Sequence, residues 1–170
     1  MIDDRLKMVS DTVQATFKKQ GQYYPMLHVF GTKKEGLVLM ADFPAEHEDK
    51  LKAMLMAGYK VGHEGKLGDL ESFYFISEAW SEKVTEAQKE SGNYTRPSLD
   101  PNRQEILFII GKDLVAKKTQ SKIFEIVRHN KKADLKVKKS TRPDSIESPL
   151  LDAFEYGYGK GLQSYNPSAS

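Results

Sequence analysis

Ile2, Leu6, Val9, Val13 and Phe17 recur at spacings of four, three, four and four residues, the stripe of an amphipathic helix, and Gly21 suits the residue after its end. An apolar run at 26–30 and another at 37–42 flank "GTKKEG", which predicts a β-hairpin. Pro44 fits the first turn of a second helix, with Glu46, Glu48 and Asp49 near its positive end. Leu51, Met54 and Leu55 would form the buried face of that helix, and Gly58 with "VGHEGKLGD" would close it. "FYFI", from Phe73, then opens a strand over 73–80.

Residues 81–104 are polar, contain Gly92, Pro97 and Pro101, and read as a long loop with a helical turn or two in 82–90. "EILFII" is apolar on both faces and marks a central strand over 105–111. Further strands are predicted at 122–128 and 133–138, the latter alternating Ala133, Leu135 and Val137 with Asp134, Lys136 and Lys138. "SPLLDAFEYG" reads as a short helix with Ser148 as cap and Pro149 in the first turn, and 157–170 as a mobile tail. Together these elements predict one α+β domain over 1–156, a mainly antiparallel sheet of five to six strands with helices on one face.

A chain of 170 residues with 29% charged side chains can bury one core and stay well solvated. It has no cysteine, which excludes disulfides, thiol nucleophiles and thiolate metal sites. The N-terminus has no signal-peptide apolar stretch, and no run nears the ~18 residues of a membrane span, so the expected location is cytoplasmic with no membrane partner. Net charge is only +2, but eleven basic residues against three acids make 112–142 a +8 segment and leave −6 on the remainder.

The common catalytic motifs fail one by one. "GTKKEGL" has the glycine spacing of a phosphate-binding loop, but Leu37 and Val38 stand where Lys and Ser/Thr are needed. "YGYGKGLQS" has glycines without a preceding strand to aim them. "HEDKL" and "HEGKL" lack the second histidine of a zinc helix, and His28, His47, His63 and His129 fall in different elements. Asp42 with "EGK" at 64–66 mimics a nuclease spacing, but glycines surround the second half, and no serine occupies a G-x-S-x-G elbow. No metal or cofactor is implied.

One polar constellation stands out. Strand alternation puts Tyr74, Ile76, Glu78 and Trp80 on one face, so a carboxylate lies between apolar neighbours, where an unpaired charge costs roughly several kcal/mol. "RPSLDPNRQE", 96–105, begins some twenty residues later and would bring Arg96, Asp100 and Arg103 to the same sheet end. The pair of segments "SEAW" and "RPSLDPNRQE" resembles a family of small uncharacterised proteins of prokaryotes and their phages. The resemblance covers about thirty residues, matching Glu78, Ala79, Trp80, Arg96, Pro97, Ser98, Asp100, Pro101, Arg103 and Glu105. It implies a shared architecture and no established activity.

Two readings of the constellation stay open, beside that of a surface arrangement of no consequence. In one, Glu78, Arg96, Asp100 and Arg103 form an ion-pair network that pins the loop under Trp80. In the other it is a site, with Glu78, Asp100 and Arg103 as catalytic candidates and Arg96, Arg103 and Trp80 as ligand contacts. Apolar surroundings would raise the pKa of Glu78 and an arginine would lower it. A pair with Arg103, favoured over Arg96, predicts a lowered value. The basic segment also has two readings: a solvated edge, or a contact surface of Lys117, Lys118, Lys122, Arg128, Lys131, Lys132, Lys136, Lys138 and Lys139. The partners expected for that surface are nucleic acid, an acidic protein, or the acidic remainder of a second copy. The leading expectation is therefore a non-enzymatic binding or accessory protein, with a small-substrate enzyme or anionic-ligand site at Glu78 as the alternative.

Overall fold

Val9, Val13 and Phe17 are all buried along one side of α1 (Ile2–Gln20), as their spacing predicts. A computed structural model of the chain describes residues 2–81, 104–129, 132–138 and 149–165. After α1 come β1 (Met26–Gly31), β2 (Glu35–Leu39), α2 (His47–Glu64), β3 (Leu70–Ser81), β4 (Gln104–Asp113), β5 (Lys118–His129), β6 (Lys132–Lys138) and α3 (Pro149–Gln163). The six strands form one antiparallel sheet in the order β2-β1-β3-β4-β5-β6, an α+β fold. "EILFII" occupies a central strand, with β3 on one side and β5 on the other.

Period-two alternation divides the core by face. Tyr74, Ile76, Leu107, Ile109, Phe124 and Ile126 pack under α1. Leu27, Val29, Phe73 and Phe75 point the other way, against Met54 and Ala57 of α2 and Leu151, Phe154 and Tyr158 of α3. Helices α2 and α3 thus share one face as expected, whereas α1, expected on that face too, covers the opposite one. The two-sided cover explains why β3 and β4 are apolar on both faces.

Two helices run differently from the sequence expectation. Helix α2 starts at His47 with Glu46 as its cap residue, so Pro44 lies before it, and it passes through Gly58 to end at Gly65 in the left-handed region (φ 63°). Helix α3 continues through Gly157 and Gly161 to Gln163, so 157–163 is helix rather than tail. The reason is shared by both helices. A Cβ on Gly58 would run into the Phe154 carbonyl, and one on Gly62 into that of Tyr158. A Cβ on Gly157 would meet the Leu55 carbonyl, and one on Gly161 that of Tyr59. These glycines, which weaken an isolated helix by about 1 kcal/mol each, let the two backbones touch. Tyr158 then locks α3 to the sheet: its hydroxyl accepts the Leu70 N–H (3.2 Å) and faces the Gly68 carbonyl (3.4 Å).

Candidate functional site

Beyond the C-terminal end of α1, on the face that helix covers, β3, β4 and β5 each contribute one charged residue. Glu78 stands level with Leu107, and Trp80 level with Glu105. Arg128 follows Phe124 and Ile126 at the same parity of β5. Its Nε donates to Glu105 Oε2 at 2.8 Å, and its guanidinium also donates to the Gly21 carbonyl at 3.2 Å. Arg128 thereby places positive charge at the negative end of the α1 dipole.

Glu78 is half-buried, and its Oε1 is enclosed with no hydrogen-bond partner among the described residues. Burial pushes its pKa above the ordinary glutamate range. The Tyr23 backbone N–H and the Arg128 charge pull it down, and the Glu105 charge pushes it up again. The net direction is upward, which corrects the lowered value expected from an arginine pair. Desolvation of the carboxyl outweighs an Arg128 guanidinium that is bonded to Glu105 and half-exposed. A carboxyl of this kind holds its proton into a range where exposed glutamates are ionised, so it can donate a hydrogen bond or a proton.

Arg96, Asp100 and Arg103, the partners expected for Glu78, lie outside the described residues, as do Lys131 and Lys139. Sequence reasoning missed Arg128 as the cation of this cluster. Its signal was present: Phe124, Ile126 and Arg128 share a parity, and Glu105 shares that of Leu107.

The basic segment does not form one surface. Lys112 bonds Glu155 at 2.6 Å and Asp152 at 3.2 Å on α3. Burial opposes charge on Lys112, but these two carboxylates outweigh it and raise its pKa. Arg128 is held by Glu105. Lys122 lies on the α1 side with its Nζ 5.5 Å from the Phe124 ring centre. Exposed Lys132 and Lys136 share the opposite side, Lys136 level with Glu125 and Lys132 with His129. Lys117 and Lys118 are exposed at the β4–β5 turn, where Lys117 adopts φ 56°.

Among the described residues no three of His, Cys, Asp and Glu converge as a metal site. His28 bonds Glu35 at 2.7 Å, and His63 bonds Ser164 at 2.9 Å. No described helix is long and apolar enough to cross a membrane. Compared with protein-family models, curated proteins and solved structures, the chain has no match.

Proposed function

We propose that the protein is a non-enzymatic binding or accessory protein that contacts nucleic acid through the β5–β6 hairpin. One observation carries this reading. Lys132 and Lys136 share one exposed side of the hairpin and make no ion pair among the described residues, nor do Lys117 and Lys118 at the β4–β5 turn, whereas Lys112 and Arg128 are consumed internally. Among the described residues the hairpin also contributes nothing to the core under α2 and α3, so on that side Ile123 and Val127 remain only half-buried beside Lys132 and Lys136. A strand pair carrying such lysines can follow a phosphate backbone. Glu125 and Asp134 sit among these lysines, so the surface reads backbone charge in a mixed field, without base specificity.

The expected result is binding of mixed-sequence DNA or RNA at low ionic strength that weakens steeply with salt. The double change Lys132→Ala with Lys136→Ala is expected to reduce the salt slope by about two, one for each lysine that meets a phosphate. Absence of binding at low ionic strength would eliminate nucleic acid and leave an acidic protein partner or a site at Glu78.

The raised pKa and enclosed Oε1 of Glu78 favour a second reading, a small-substrate enzyme or anionic-ligand site built on Glu78, Asp100 and Arg103. In it Glu78 is the general acid. Ligand binding lost in Glu78→Gln, with the fold intact and the lysine variants unaffected, would select that reading.

A further inference from the structure

The two edges of the sheet are built differently. β6 carries Lys132 and Lys136, charges that discourage pairing with another strand. β2, "EGLVL", has neither lysine nor proline, and its Leu37 and Leu39 are 62% and 57% exposed. Both leucines are level with α1-side residues of β1, His28 and Met26, and border an apolar cleft of about 370 Å³ between α1 and this edge.

We propose that β2 is the interface with a second copy of this chain, the two β2 strands pairing antiparallel about a two-fold axis at Val38. The backbone directions fit this pairing. The Gly31 N–H bonds the Lys34 carbonyl (3.0 Å) and the Met40 N–H bonds the Pro25 carbonyl (2.8 Å), so even-numbered positions from 34 to 40 face β1. Glu35, Leu37 and Leu39 therefore turn their N–H and C=O groups outward, where no strand among the described residues pairs with them. Centring on Val38 pairs Leu37 of each copy with Leu39 of the other through these outward groups.

Charge selects this register and this occupant. β2 is preceded by Lys33 and Lys34 and followed by Asp42. Antiparallel pairing sets the basic end of each copy against the acidic end of the other, and the Val38 register brings Lys34 level with Asp42. Because the axis runs perpendicular to the sheet, both α1 helices stay on one side. The four leucines then lie between the two apolar clefts and close them into one covered surface.

Sedimentation or light scattering at micromolar concentration is expected to give a dimer. Leu37→Lys with Leu39→Lys, both at exposed side chains, is expected to give a monomer with an unchanged circular dichroism spectrum. A third variant makes the result independent of that pair. The chain has no cysteine, so Val38→Cys introduces a single thiol. On the axis of a non-hydrogen-bonded antiparallel pair the two Cα atoms are about 4.5 Å apart, within disulfide range. Mild oxidation is expected to convert this variant to a covalent dimer, while Met56→Cys, exposed on α2, stays uncrosslinked. A monomeric wild type, a dimer that persists in the double lysine variant, or a Val38→Cys variant that fails to crosslink would each overturn the proposal.

Discussion

Gly58→Val is expected to lower the melting temperature by roughly 6–12 °C, and Gly159→Ala to raise it by roughly 2–4 °C, although both replace a glycine inside a helix. The opposite signs follow from what a new Cβ meets. At Gly58 it would collide with the backbone carbonyl of Phe154, and at Gly159 it meets nothing within 4 Å. A carbonyl inside α3 cannot swing aside, so the helices must separate. That separation exposes Phe154, which is fully buried with its ring 4.5 Å from that of Phe73. Overpacking of this kind costs about 1–3 kcal/mol or more, and about 3 kcal/mol is expected here because the obstacle is main chain. At Gly159 only helix propensity changes, worth about 1 kcal/mol in favour of alanine. Thermal melts followed by circular dichroism read both effects. Equal shifts in the two variants would show that the α2–α3 seam is not in backbone contact.

The same seam marks where the sequence stopped being informative about the fold. Strands β1, β3, β4, β5 and β6 announce themselves through apolar runs or clean alternation, and α1 through its stripe, because one periodicity dominates each of them. Within α3, Gly157, Gly159 and Gly161 crowd three helix-weakening residues into one turn and a half, and so imitate a tail. The meaning of Gly157 and Gly161 lies in the α2 backbone beside Gly58 and Gly62, about a hundred residues away, where tertiary contact overrides propensity. The division of helices between two faces was equally hidden, since alternation says which residues share a face and not which helix covers it. For the candidate site, the oddity of Glu78 was visible as a carboxylate on the face of Tyr74 and Ile76. Its neighbour Arg128 was not, because charge grouped it with the basic segment while its parity with Phe124 and Ile126 assigns it to the sheet face under α1.

That neighbourhood yields the second large effect. Arg128→Ala is expected to cost about 1–2 kcal/mol at neutral pH, combining a half-exposed ion pair with Glu105 and the loss of a cation at the C-terminal end of α1. The cost should shrink on acidification, for a reason that involves Glu78. Its pKa in the folded protein is raised, so the folded state holds this proton more tightly than the unfolded chain. The stability Glu78 contributes is therefore fully present below the ordinary glutamate pKa of about 4.3 and is lost as pH rises through the raised folded value. Above that value an enclosed carboxylate is charged with Glu105 close by, and Arg128 offsets part of the penalty. Removing Arg128 withdraws that offset and leaves the one from the Tyr23 N–H, whereas below that value there is no charge on Glu78 for Arg128 to offset. Glu78→Gln removes the titrating group, so it should match or exceed wild-type stability at neutral pH, lose that advantage on acidification, and flatten the pH dependence of the Arg128→Ala cost. Denaturant unfolding of wild type, both single variants and the double variant at several pH values measures this coupling. An Arg128→Ala cost whose pH dependence is the same with glutamine at 78 would separate Arg128 from Glu78 and leave it a partner of Glu105 and the helix end alone.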